Sequence, residues 1–261
     1  RMHIFTHLKE ESEGRTGLGI YADGMTEHDA LVGQLLDKLE ELGADENTIV
    51  IYLSDNGPQQ VRYVSGLKER KGSVHEGGIR VPFFIRWPAK LAGGRQLKLI
   101  AAHIDIAPTL LDFCGIPVPN NVFFDGLSLS PLVFAQPGQK LSWPNRTLYF
   151  QWHRGDEPEL YRAFAARTHR FKLTQPLGRG NQPAPQNPKF LLYDMQNDPY
   201  ETQDVAAQYP DVVRQMKQDY ESWFQDVSAT RGYAAPWIFI GDRKENPTTL
   251  TRQDWRGPQA S

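Results

Sequence analysis

The chain has 261 residues, enough for one large α/β domain or for a medium domain with an appendage. Its 29 basic and 31 acidic residues leave a formal charge of −2, which argues against a nucleic-acid binder that works through a broad basic surface. A single cysteine, Cys114, excludes an intrachain disulfide framework and a cysteine-rich zinc site, and no stretch approaches the roughly 18 apolar residues of a membrane span. The chain opens Arg1-Met2-His3-Ile4-Phe5-Thr6-His7, with no block pattern of a signal peptide, as a piece of a longer protein would.

From Asp23 to Gly43, Leu31, Val32, Leu35, Leu36, Leu39 and Leu42 follow a helical period, with charged residues opposite and Gly43 placed to end the helix. Thr48-Ile49-Val50-Ile51-Tyr52-Leu53 is a β-branched run without alternation, expected as a strand of a parallel sheet covered on both faces. A polar loop leads to a second apolar run at Val81–Ile85, and Ile104–Cys114 reads as a short helix with Pro108 in its first turn and Gly115 as its stop. Cys114 is expected there as a small buried residue. Residues 115–146 are rich in Pro, Gly and Asn and read as a long surface connection. Thr147–Trp152 is strand-like, Tyr161–Ala166 and Phe171–Thr174 suggest a hairpin, and the Pro/Gly/Asn/Gln-rich stretch 176–188 reads as a mobile loop. A last helix is expected over about Pro210–Val227, its apolar stripe running from Val212 to Val227. The tail is polar except for the apolar run at 236–240.

Three constellations bear chemistry. Asp55-Asn56-Gly57 follows the buried strand, where open α/β sheets place their sites. A carboxylate and a carboxamide oxygen suit Ca²⁺ or Mg²⁺, although two oxygens fall short of the roughly six to eight that calcium takes, and Asn-Gly is also a favoured turn pair. The stretch Arg70–Pro82 combines glycines, cations and the pair His75-Glu76. Lys71 there suits a sulfate or phosphate oxyanion, or the loop is simply a solvated surface. His3 and His7 each suit a general acid or an oxyanion donor.

Together, these segments resemble type I sulfatases of the alkaline-phosphatase-like superfamily, closest in pattern to arylsulfatases. The likeness rests on His3-Ile4-Phe5, Tyr21–Met25, Asp29–Gly33, Thr48–Gly57 and Lys71–Pro82, taken in order. It continues through His103–Leu111, Asp125–Leu129, Leu192–Asp194 and Asp198–Glu201. The resemblance implies an α/β fold: a partial alkaline-phosphatase-like sandwich over residues 1–135, then a smaller α+β subdomain over 136–261 with an antiparallel sheet and a terminal helix. It implies that Asp55 and Asn56 ligate a divalent cation, usually Ca²⁺, and that Lys71 contacts sulfate oxygens. His3 would face the ester, with His7 as the alternative, while His75 and Glu76 would be structural.

The family's paired aspartates and its Cys-x-Pro-Ser-Arg-type segment, the source of the formylglycine nucleophile, are absent from this sequence. Cys114 lacks the following arginine, and Ser142-Trp143-Pro144-Asn145-Arg146 satisfies only a minimal pattern in the wrong order. Asn145-Arg146-Thr147 is also a glycosylation sequon. The expected function is sulfuric ester hydrolysis by a longer protein, with the chain alone inactive. The alternatives are a phosphoester or phosphonate ester hydrolase of the same superfamily, or a non-catalytic fragment or binding module. The partner is a small-molecule or glycan sulfate ester, with no nucleic acid. The family resemblance favours a periplasmic, secreted or lysosomal setting.

Overall fold

The computed structural model describes residues 7–136, 138–139, 143–155 and 157–230. His3, Ser142 and the apolar run at 236–240 therefore lie outside the described residues. Helix α1 spans Ile20–Glu41 and begins before Asp23, where the periodicity starts. Asp23 sits in its first turn, and its carboxylate reaches back to accept hydrogen bonds from Gly14 N (2.9 Å), Thr16 N (2.8 Å) and the Thr16 hydroxyl (2.6 Å). The hydroxyl bond leads in holding this carboxyl below its ordinary pKa. At the other end Gly43 adopts φ 63°, with Gly43 N donating to Glu40 O and Ala44 N to Leu39 O, the paired bonds of a glycine-closed helix end.

Strand β1 (Val50–Leu53) pairs antiparallel with β2 (Phe83–Arg86), Val50 facing Arg86 and Leu53 facing Phe83. The parallel, doubly covered strand expected from the sequence is thus corrected, and all four β1 residues are only half-buried. A β-branched run reports that a strand suits burial, but it carries no information about the direction of its partner. Between the strands, a single helical turn α2 (Glu76–Ile79) carries both glycines of Glu76-Gly77-Gly78.

A short 3₁₀ turn, His103–Asp105, leads into helix α3 (Ile106–Phe113). Asp105 is fully buried and joins three segments, accepting from Ala102 N and Leu127 N and pairing with Arg146 Nη1, each at 2.8 Å. Arg146 is thus occupied by a structural carboxylate. Gly115, at φ 64°, ends α3 as expected. Cys114 is exposed rather than buried, because Phe113 beside it takes the inward position and Cys114 falls on the outer side of the helix end. The connection that follows contains one further turn, α4 (Ser130–Val133).

The second half is a four-stranded antiparallel meander of β3 (Leu148–Gln151), β4 (Phe164–Arg167), β5 (Phe171–Gln175) and β6 (Leu191–Asp194). Helix α5 (Pro210–Ser228) lies against it, with Pro210 in the first turn where its missing N–H is harmless. Strand alternation divides the sheet's residues between two faces. Phe164, Ala166, Leu173 and Leu192 pack with Met216 and Tyr220 of α5 into the core, and the Phe164 and Tyr220 rings stack at 4.0 Å. Arg167, Lys172 and Tyr193 occupy the other face, where Arg167 pairs across strands with Lys172 and Lys172 with Tyr193. That polar face meets the loop between β1 and β2.

Candidate active site

Asp55 and Asn56 lie in the turn that leaves the carboxyl end of β1. Two backbone bonds join this turn to the loop carrying Lys71: Gly57 N donates to Gly78 O at 2.8 Å, and Lys71 N to Pro58 O at 3.0 Å. The approach is so close that a Cβ on Gly57 would stand 1.9 Å from Gly77 O, and one on Gly77 would stand 2.2 Å from Glu69 O. The glycines of Asp55-Asn56-Gly57 and Glu76-Gly77-Gly78 are therefore required by packing, and this interlock brings the two motifs to one place. The Ser54 hydroxyl donates to Asn56 O at 3.0 Å and steadies the turn.

Within that turn the Asp55 side chain is exposed and Asn56 half-buried. The Lys71 side chain is exposed and makes no hydrogen bond or ion pair with any described residue. The turn that carries the carboxylate and the carboxamide is thus joined through its backbone to the loop that carries the uncommitted ammonium. No group of three or more His, Cys, Asp or Glu side chains able to hold a metal is assembled among the described residues. As donors for a divalent cation, Asp55 and Asn56 fit in type, being hard oxygen ligands, and fall short in number. His7 is exposed, and among the described residues no hydrogen bond or ion pair joins it to this turn.

His103 enters the neighbourhood without having been singled out as a site residue. Its Nε2 lies 2.8 Å from Ser54 O, and because a carbonyl only accepts, Nε2 carries the proton and donates. The only hint in the sequence was its place ahead of Ile104-Asp105.

Beneath the Lys71 loop lies a buried ionic network. Glu201, with no exposed surface, accepts from His75 Nδ1 (2.9 Å), Lys172 Nζ (2.9 Å) and Glu76 N (2.7 Å). Lys172 also bonds Glu76 Oε1 at 3.1 Å, and Arg167 Nε stands 3.5 Å from the same oxygen. Lys68 Nζ donates to Tyr193 OH and to Glu201 O. Burial alone would raise the Glu201 pKa, but the His75 hydrogen bond and the Lys172 charge outweigh it and hold this carboxyl at about 2. Desolvation dominates at Arg167 and lowers its guanidinium, with Glu76 opposing. Glu201 also holds φ 57°, a strained conformation for a residue with a side chain, kept in place by these partners. His75 and Glu76 are thus committed to holding the loop on the sheet.

The described loop after β5 is anchored, which corrects the expectation of mobility. Arg162 donates to Gly178 O, Gly180 O and Gln182 O at 2.9, 3.2 and 2.7 Å, and Arg179 pairs with Glu69 at 3.1 Å. Low-complexity composition gives no sign that an arginine elsewhere gathers a loop's carbonyls.

An α/β layer with its polar residues at a strand's carboxyl end, backed by an antiparallel sheet and a terminal helix, is the architecture of the alkaline-phosphatase-like superfamily. Residues 7–116 match the sulfatase family model, and residues 69–226 match that of the N-sulphoglucosamine sulphohydrolase C-terminal region. The chain belongs to the type I sulfatase family. It is 34% identical to human arylsulfatase A over 226 residues, which cover 78% of this chain and 43% of that protein. It is 29% identical to an N-acetylglucosamine-6-O-sulfatase of Bacteroides thetaiotaomicron, covering 83% and 37% respectively. A solved structure from a Bacteroides thetaiotaomicron locus for glycosaminoglycan metabolism superposes with a TM-score of 0.67 at 25% identity, over 85% of this chain and 48% of that one. The chain spans less than half the length of these curated relatives. Among the described residues, no helix is long and apolar enough to cross a membrane.

Proposed function

We propose that the protein carrying this chain hydrolyses a sulfate ester to an alcohol or phenol and sulfate. The observation that supports this reading is the backbone contact that joins the Asp55-Asn56 turn at the end of β1 to the Lys71 loop, through the interlocked glycines of the two motifs. Asp55 and Asn56 would supply two of the oxygen ligands of a divalent cation, Ca²⁺ or Mg²⁺, which when bound would supply positive charge to stabilise the sulfate group. Lys71 reaches the same oxygens as a compact cation with all its donors uncommitted, and stabilises the charge that develops on them. A histidine of the N-terminal segment, His3 or His7, hands a proton to the departing oxygen. The nucleophile is a formylglycine outside these 261 residues, so the chain alone turns over no sulfate ester. The relatives' names favour an aryl or sugar sulfate as substrate.

Turnover of an aryl sulfate and of the matching aryl phosphate by the formylglycine-bearing protein tests this reading. The sulfate ester is expected to react at the higher kcat/KM. A clear preference for the phosphate ester contradicts it.

A further inference from the structure

We infer that Trp152 is the platform on which the organic ring of the substrate rests, with the sulfate group directed to Lys71. This assignment depends on the sulfatase reading and adds to it the wall that receives the non-sulfate half of the ester. Trp152 follows β3 and keeps one backbone bond to β4's approach, from its N–H to Ala163 O at 3.0 Å. Its indole extends from the four-stranded sheet toward the Lys71 loop and seats its benzo edge on two glycines. A Cβ built on Gly72, the residue after Lys71, would stand 3.4 Å from Trp152 Cη2 and 3.5 Å from Cζ2. A Cβ on Gly180 would also stand 3.4 Å from Cη2. Both glycines hold positive φ, +80° and +59°, so neither position readily takes a side chain that would cover the ring. Trp152 consequently keeps 41% of its surface exposed, one residue removed from the proposed sulfate-binding lysine.

The loop that the ring rests against is anchored before any ligand arrives. Gly180 O accepts from Arg154 N at 2.9 Å and from Arg162 Nη2, and the Arg179–Glu69 pair ties the same loop to the segment just ahead of Lys71. A rigid aromatic surface loses little conformational freedom on binding, which is what makes such residues effective anchors. The chemistry of the neighbourhood is two-sided, with cation and oxygen ligands at the β1 end and an apolar ring face beside them. A sulfate ester of a six-membered ring has the same two halves. An aryl group and a pyranose both offer an apolar face to an indole, and they share this platform.

The test compares wild type, Trp152→Ala, Trp152→Leu and Trp152→Phe in the formylglycine-bearing protein, each with an aryl sulfate and a sulfated monosaccharide. Trp152→Ala is expected to raise KM about tenfold, or about 1.4 kcal/mol, for the ring that uses the platform, with kcat changed less than about twofold. Trp152→Phe is expected to restore most of the loss and Trp152→Leu little of it. This Phe/Leu contrast decides the matter if the alanine variant fails to fold. The substrate whose KM moves more identifies the ring. Unchanged KM for both substrates, or equal behaviour of Phe and Leu, overturns the assignment. Absence of sulfate-ester turnover by wild type overturns the sulfatase reading itself, so the two failures are distinct.

Discussion

Leu35 of α1 and Leu173 of β5 are the same residue in opposite circumstances: one is 69% exposed and the other has no accessible surface. The contrast holds for the regions around them. The β3–β6 meander and α5 enclose a continuous core, with Phe164, Leu173, Leu192 and Tyr220 all fully covered. Within these 261 residues, helix α1 and the β1–β2 pair leave Leu35, Leu42 and Phe84 largely uncovered. The site residues lie on this second, less enclosed region. Its Lys71 loop is fixed to the enclosed sheet by buried ionic groups and interlocked glycines rather than by a shared apolar core. Position at the site therefore depends on polar contacts whose removal is expensive, because each leaves an uncompensated charge in a buried setting.

The sharpest test of that contrast is a matched pair of substitutions. Lys172→Ala leaves Glu76 and Glu201 buried without their shared cation, and an expected loss of about 3–5 kcal/mol should appear in urea or thermal denaturation. Acid comes next. The Glu201 carboxyl falls from its ordinary 4.5 to about 2 in the folded protein, so its stabilisation is complete above pH 4.5 and is lost as pH drops toward 2. The expected contribution is on the order of 3 kcal/mol, read as a fall in the denaturation midpoint between those pH values that Glu201→Gln flattens. In these 261 residues taken alone, Leu35→Ser should shift stability by no more than about 0.5 kcal/mol, as at other exposed positions. A loss at Leu35 as large as that at Lys172 would erase the distinction between the two regions.

What the sequence disclosed follows the range of the interactions. Helices α1 and α5 were legible because period and terminal signals are local: Gly43 and Gly115 end their helices as read, and Pro210 opens α5. The β4–β5 hairpin was legible for the same reason. Strand β6 escaped notice because Leu191-Leu192-Tyr193-Asp194 is short and does not alternate, and its pairing to β5 supplies what its own pattern lacks. The ionic network was unreadable as such, since Glu76 and Lys172 stand 96 positions apart and His75 and Glu201 stand 126 apart. Asp55, Asn56 and Lys71 were visible as chemistry-bearing residues, whereas their meeting depends on backbone approaches at Gly57 and Gly77 that only three-dimensional packing reveals. Trp152 read as the end of a strand, with nothing nearby in sequence to connect it to Lys71.

The central claim is that the Lys71 loop, held on the sheet beside Asp55 and Asn56, presents its lysine to a sulfate ester. The most direct measurement is sulfate release from an aryl sulfate by the formylglycine-bearing protein and by its Lys71→Ala variant, with thermal denaturation of both. The account predicts a loss of about 10²–10³ in kcat with an unchanged midpoint, since the Lys71 side chain is exposed and bonds no described residue. Undiminished sulfate release by Lys71→Ala would contradict it.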